Sequence, residues 1–352
     1  MPRFASFAED VTEQVDTLVV TLIDPGSDPG HLTRLIDMSL SALDEKPAVR
    51  FDVDPLMDYR ASRPLLNFSK GRIVGMGRED MVISLSRDMS GQPFLRLHGL
   101  EPDFHWDRLV SDMFDIVDHF SLSSIYSFTA VGAPIPHTRP ADMIVRTTVD
   151  NRHPALDADF WFPASFASYF EFHAGKIGLD MTNVAVRVPI YLAAHHYPAG
   201  AASALSMVSS MSGLSFPLGD LTRDGEEQKA NLAAMMDENK ELEGIISAFE
   251  KDYDMGAMTE GFVRAPQTEL SVPTIEEIGR AAELFLEQVD SASAGPISAV
   301  SDSFDPQGLF SRIKRYREGQ KREAGQVRQP GDTMTSLSDT SDKPRRKGKH
   351  SY

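Results

Sequence analysis

Three short segments place charged and hydrogen-bonding side chains close enough together to do chemistry. In FDVDPLMDYRASRP (51–64), Asp58, Tyr59, Arg60 and Arg63 fall in a loop, where polar side chains have no core to serve. Two arginines so placed can grip a carboxylate or phosphate through paired N–H donors. Equally, Asp58 can pair with Arg60 or with Arg139 and only fix the loop. LHGLEPDFHW (97–106) brings Glu101 and Asp103 beside His98 and His105 after a strand, at the end of an α/β sheet where ligands bind. Carboxylates next to a histidine suit general acid–base work. Asp103 also stands just before an apolar-periodic helix, which predicts an N-cap. In VGAPIPHTRP (131–140), His137, Thr138 and Arg139 are held between prolines, so the loop is stiff and aims its side chains in fixed directions. Such a loop serves a ligand site and a protein interface equally. If the three loops converge on a pocket, it is built from Arg60, Arg63, Glu101, Asp103, His137, Thr138 and Arg139.

Other constellations exclude more than they offer. DPGSDPG (24–30) joins a strand to a helix, where free N–H groups attract anions. It lacks the lysine of a Walker A loop and the spacing of GxGxxG, and Pro25 and Pro29 each remove a donor, so it reads as a capped turn. His195 and His196 are neighbours and point apart, whereas a two-histidine metal site on a helix needs an i, i+4 pair. There is no G-x-S-x-G nucleophile turn. The absence of any cysteine removes disulfides, thiolate nucleophiles and cysteine-ligated metals together. No cofactor or metal is expected, and no catalytic set identifies an enzyme.

The elements that position these loops follow from periodicity. LVVTLI (18–23), AVRFDVD (48–54), MVISLSRD (81–88), PFLRLHG (93–99), SIYSFTAVGA (124–133), MIVRTTV (143–149) and VAVRVPIYL (184–192) read as strands. HLTRLIDMSLSAL (31–43), FHWDRLVSDMFDIVDHF (104–120), ASFASYFEFHAG (164–175) and PAGAASALSMVSSM (198–211) read as helices. Alternation of the two predicts an α/β domain with a mainly parallel sheet over residues 1–222. From residue 223 to 292 the pattern is helical. Leu232, Met235, Asn239, Leu242, Ile246 and Phe249 form an apolar seam, and IEEIGRAAELFLEQV (275–289) is a second helix able to pair with the first as a hairpin. Residues 293–352 read as a linker, a basic helix (306–323) and a tail without core material.

Net charge is −17. Residues 311–352 hold twelve Lys or Arg against five Asp or Glu, a balance of +7, which leaves −24 on residues 1–310. An acidic body repels nucleic acid and anionic membrane. The tail reads as a solubilising segment with too few aromatics to stack single strands, so no nucleic-acid partner is expected. The amino-terminal MPRFASFAEDVTEQVD carries acids where a signal peptide needs a basic start, and no run approaches the roughly 18 apolar residues of a membrane helix. A cytoplasmic location without a membrane partner is the expectation.

Four segments in order carry a family likeness. FDVDPLMDYRASRP, LHGLEPDFHW, VGAPIPHTRP and VPIYLAAHHYPAGAASAL (188–205), the last followed by FEKDYD (249–254), resemble the ordered motifs of the PAC2 (proteasome assembly chaperone 2-like) family in its long actinobacterial form. The likeness spans roughly residues 15–255. Three positions depart from the family pattern: TLIDPGSDPG carries two prolines where small residues stand, Ile190 replaces a histidine, and the chain ends His350-Ser351-Tyr352 with the tyrosine last. The resemblance implies a three-layer α/β/α sandwich similar to purine nucleoside phosphorylases, with a helical addition near the carboxyl end. It also implies protein partners and self-association, with a trimer among the forms. The function expected is a non-catalytic scaffold or assembly-chaperone-like factor. The alternative is a small-molecule protein or enzyme with a phosphorylase-like pocket at the loops after the strands.

Overall fold

The structure, a computed structural model, describes residues 4–77, 80–149, 153–256 and 261–266. At its centre lie four parallel strands: β2 (Thr17–Ile23), β7 (Pro93–Leu100), β8 (Ser124–Ala133) and β10 (Asp180–Pro189). Six successive residues of β2 are buried, as a strand covered on both faces requires. Antiparallel strands extend both sides. One flank holds β1 (Ala5–Phe7), β3 (Glu45–Phe51) and β6 (Val82–Arg87), the other β9 (Asp142–Thr147) and β11 (Val263–Arg264). The order is β1-β3-β6-β7-β2-β8-β10-β9-β11. The sheet is therefore mixed, and the mainly parallel expectation holds only for the centre. The link 88–92 between β6 and β7 explains one reversal, because a parallel return needs a far longer crossover.

Helices cover both faces. On one lie α1 (Leu32–Leu40), α4 (Pro198–Ser212), α5 (Gly219–Glu238) and α6 (Lys240–Gly256), packed on Val19, Phe94, Val184 and Val186. On the other lie α2 (Trp106–Phe120) and α3 (Phe166–Ile177), packed on Leu18, Leu95 and Leu97. Alternate residues of the same strands thus feed two cores, and the result is the expected three-layer sandwich.

Sequence and structure differ at two places. The apolar seam from 226 to 254 predicts one helix, but the chain breaks at Asn239, whose extended backbone separates α5 from α6. Its side-chain oxygen accepts the N–H groups of Glu241 (3.1 Å) and Leu242 (3.2 Å), so this seam position starts a helix instead of continuing one. Leu232, Leu242, Ile246 and Phe249 are buried against the sheet domain itself. The partner helix expected at 275–289, the basic helix and the tail lie outside the described residues. The second difference is a hairpin that periodicity misses, β4 (Leu65–Ser69) and β5 (Arg72–Gly77). Lys70 and Gly71 both have positive φ, 48° and 77°, which is the two-residue turn matched to strand twist. The strands carry no alternation because neither face is buried.

One buried ion cluster ties α1 to the sheet. Arg96 on β7 is 1% exposed. Its guanidinium donates to Asp37 Oδ1 on α1 (2.7 Å), to Glu45 Oε2 on β3 (2.7 Å) and to Ser41 Oγ (3.1 Å). Thr21 on β2 donates to the same Asp37 oxygen at 2.8 Å. Removing one partner of a buried charge leaves the other without compensation. Asp37→Ala is expected to cost about 3 kcal/mol in urea unfolding and Asp37→Asn less, since the amide oxygen can still accept; a midpoint unchanged in Asp37→Ala would contradict this role for the cluster.

Candidate functional site

The loops that follow the parallel strands carry the sequence-predicted residues, but in two groups on opposite faces of the sheet. The first group surrounds the ends of β2 and β7. β2 leads to α1 on one face and β7 to α2 on the other, and such a divergence opens the crevice where α/β sheets bind ligands. Glu101, just past β7, lies there with Asp24 and Asp103. Its Oε1 accepts the Phe166 N–H at the start of α3, at 2.6 Å. Burial pushes the Glu101 carboxyl up to about 7, with the charges of Asp24 and Asp103 adding and the Phe166 N–H opposing.

Asp103 does not cap α2. Its Oδ2 accepts the Asp58 N–H at 2.6 Å, while the backbone N–H groups of Asp103 and Phe104 donate to Leu56 O, so two loops are sewn together. The position before α2 is His105, with a left-handed backbone and no side-chain cap. Asp58 in turn accepts the Arg60 N–H at 2.9 Å and shapes its own turn. The Tyr59 hydroxyl donates to Asp54 Oδ1 at 2.9 Å. Beside this loop is a cavity of about 190 Å³, lined by Val53, Met57, Tyr59, Arg63, Leu65 and Leu100 among others.

The second group is a clasp for α6. Arg139 meets Asp254 with both arms of its guanidinium, Nε to Oδ1 at 2.9 Å and Nη2 to Oδ2 at 2.7 Å, and reaches Glu250 Oε1 at 3.1 Å. Thr138 Oγ1 donates to the same Glu250 oxygen. The Tyr253 hydroxyl donates to Pro140 O at 2.9 Å. The FEKDYD segment is thereby bound to PHTRP across more than a hundred residues of chain. Arg139's partners hold its pKa above the ordinary arginine value, with the Asp254 hydrogen bond first among the causes.

His137 is drawn inward. Its N–H donates to the Tyr191 hydroxyl at 2.6 Å, and that hydroxyl lies 2.8 Å from His137 Nδ1. The other ring nitrogen, Nε2, is buried without a hydrogen-bond partner among the described residues. Burial pushes His137 down to about 4, with Lys229 in the same direction and Glu250 against. The imidazole is neutral at physiological pH.

The remaining motifs are also occupied. Asp28 closes DPGSDPG by accepting the Thr33 and Arg34 N–H groups at 2.9 and 3.1 Å, so its own carboxylate fills the anion position at the start of α1. Gly30, with φ 72°, donates to Ala193 O, and a Cβ there would meet Tyr197 and Val188 at 3.0 Å. That close approach ties the turn to the His195-His196 loop. Among the described residues no group of three metal-ligating side chains occurs, and no helix is long and apolar enough to cross a membrane.

The PAC2 family model matches residues 22–236, more than half of the chain. The chain belongs to the PAC2 family. Among solved structures it is similar to a Corynebacterium glutamicum protein of unknown function, with 27% identity and a TM-score of 0.68 over 73% of this chain and 99% of that one. A Mycobacterium tuberculosis protein of unknown function gives 27% identity and 0.67 over 73% and 90%. A Mycobacterium tuberculosis proteasome-assembly chaperone homologue gives 19% and 0.59 over 65% and 99%, a likeness of fold. Among curated proteins none matches the chain. Sequence reasoning misses Glu250 and Asp254 as the partners of Arg139, and Tyr191 as the partner of His137. FEKDYD is visible as a motif, but spacing along the chain does not say what a motif touches.

Two measurements check these roles. Arg139→Ala is expected to raise backbone hydrogen exchange over Lys240–Gly256 about tenfold or more, with Arg139→Lys intermediate because one ammonium cannot span both Asp254 oxygens; unchanged exchange in α6 would rule out the clasp. For Glu101, a raised carboxyl pKa means the folded state keeps a proton that the unfolded chain has lost. Its contribution is full below about pH 4.5 and falls as the pH rises to about 7. Glu101→Gln keeps the acceptor for Phe166, so its stability should lack this decline and exceed wild type near pH 8; parallel urea-midpoint curves for the two proteins across this range would contradict it.

Proposed function

We propose that this PAC2 protein is a non-catalytic interaction scaffold of the assembly-chaperone kind that works as an oligomer. The observation that carries the reading is how its polar and apolar side chains are used. Glu101, Asp103, His137, Thr138 and Arg139 hold loops and helices together, while large apolar side chains stand on the surface. Phe68 is 70% exposed, Phe172 62% and Trp161 fully exposed. Exposed aromatic side chains are the kind that anchor contacts between proteins, which supports this reading. The fold likeness to a proteasome-assembly chaperone homologue supports the same direction.

A second reading rests on Glu101, a carboxyl titrating near neutrality in the crevice between β2 and β7, where an acid–base group would be placed. In this reading the chain binds or converts a small molecule there. Two experiments separate them. Affinity capture with size analysis is expected to return an oligomer with reproducible protein partners, and a monomer with none would remove the scaffold reading. Melting in the presence of nucleosides, phosphate and short carboxylates is expected to show no shift, since only a ligand selective for the native state stabilises it. A shift abolished by Arg60→Ala or Glu101→Gln would promote the second reading.

A further inference from the structure

We propose that the surface for self-association is a reciprocal fit between Trp161 and the cavity at the foot of the β4–β5 hairpin, so that the partner seated there is a second copy of this chain. This inference rests on the interaction reading above and names its surface.

The protruding part is the segment before α3. Trp161 is 101% exposed and its neighbours Phe160 and Phe162 are 60% and 52% exposed. A large amphipathic aromatic standing free is the residue type that anchors protein interfaces. The receiving part is the cavity of about 190 Å³ whose apolar wall includes Val53, Met57, Pro64 and Leu65. It is smaller than the roughly 300 Å³ at which small-molecule pockets begin, and of a size for one aromatic side chain. Beside it the hairpin exposes Leu65, Leu66, Phe68, Ile73, Val74 and Met76 by 56–80%. A two-stranded hairpin is marginal in water by itself, and these side chains gain from cover.

Charge selects a second copy as the occupant. Residues 60–77 contain Arg60, Arg63, Lys70 and Arg72 and no Asp or Glu, within a body that sums to −24. The stretch 153–165 contains Asp157 and Asp159 and no Lys or Arg. None of these six charged residues takes part in an ion pair among the described residues. Two acidic bodies repel unless opposite charges meet locally, and the aromatic protrusion and the cavity carry opposite signs. Each chain bears both parts, so the contact either pairs two copies mutually or closes a ring.

The test uses the full-length protein in analytical ultracentrifugation over a dilution series. Wild type is expected to self-associate. Trp161→Ala, Arg63→Glu and Asp159→Arg should each weaken association about tenfold or more, with unchanged circular-dichroism melting of the monomer because all three side chains lie at the surface or on the cavity rim rather than in the cores. The double variant Arg63→Glu, Asp159→Arg should recover association. The chain has only two tryptophans, so the difference between wild-type and Trp161→Phe fluorescence isolates Trp161, and its emission should shift to the blue as concentration rises. Unchanged assembly in Trp161→Ala, no recovery in the double variant, or blue emission at every dilution, which would mean cover from its own chain, each overturns the inference. A monomeric wild type that still captures other proteins overturns it alone, and a monomer that captures nothing removes the interaction reading as well.

Discussion

A guanidinium with almost no access to water stands at the middle of the sheet, and the arrangement of the amino-terminal half depends on satisfying it. Arg96 sits on β7, faces α1 and draws carboxylates from α1 and from β3. A buried positive charge is tolerated only where several acceptors are fixed around it. That requirement sets the rotation of α1, because Asp37 and Ser41, one helical turn apart, must both point at β7. It also sets the position of β3, because Glu45 must arrive at the same point. Thr21 and His98 complete the surroundings. Burial lowers His98 to about 4, with Arg96's charge acting the same way, so the imidazole stays neutral and adds no second positive charge.

On the opposite half of the sheet Arg139 has the comparable part, with a different physical character. It is about one-third exposed and holds two acids from α6. An ion pair of this exposure contributes little by charge alone. Its paired geometry with Asp254, the Thr138 contact and the Tyr253 link to Pro140 instead give direction. They fix where α6 crosses the strand ends, and the ring of Tyr191 stacked on Phe249 continues that contact into the core. α6 is therefore an integral part of the domain's outer layer, although the sequence marks it only by a change of pattern near residue 226.

How much of this is legible in the chain follows from the range of each interaction. β8 is read to the residue from SIYSFTAVGA, and the central helices follow from their apolar period, since both signals are local. The turn DPGSDPG is also local, and Asp28 caps it as the prolines suggest. What fails is pairing across the chain. Asp103 directly before an apolar run looks like a cap, yet the loop from β3 supplies a closer donor in Asp58 N–H and takes the carboxylate away. Asn239 fits a heptad seam by spacing, but its side chain competes for backbone N–H groups and divides the helix. The hairpin is missed because its two-residue turn, Lys70-Gly71, is a weak signal when no buried face imposes alternation on the strands.

The loops after the parallel strands are where α/β proteins usually do chemistry, and here almost every polar group in them already has a partner within the fold. A carboxylate that accepts a backbone N–H at 2.6 Å, as Glu101 and Asp103 do, is a positioned acceptor with less freedom to meet a substrate. Glu101, just past β7, holds its proton up to about 7 and bonds the start of α3. The chain leading into α3 also carries Phe160, Trp161 and Phe162. Protonation at the strand end and presentation of the aromatic segment are thus joined through the Phe166 N–H, which fixes one end of that segment. The carboxyl that lies in the crevice between β2 and β7 therefore also sets the anchor point of the aromatic segment, so in this PAC2 protein one side chain ties the strand ends to a surface that faces outward.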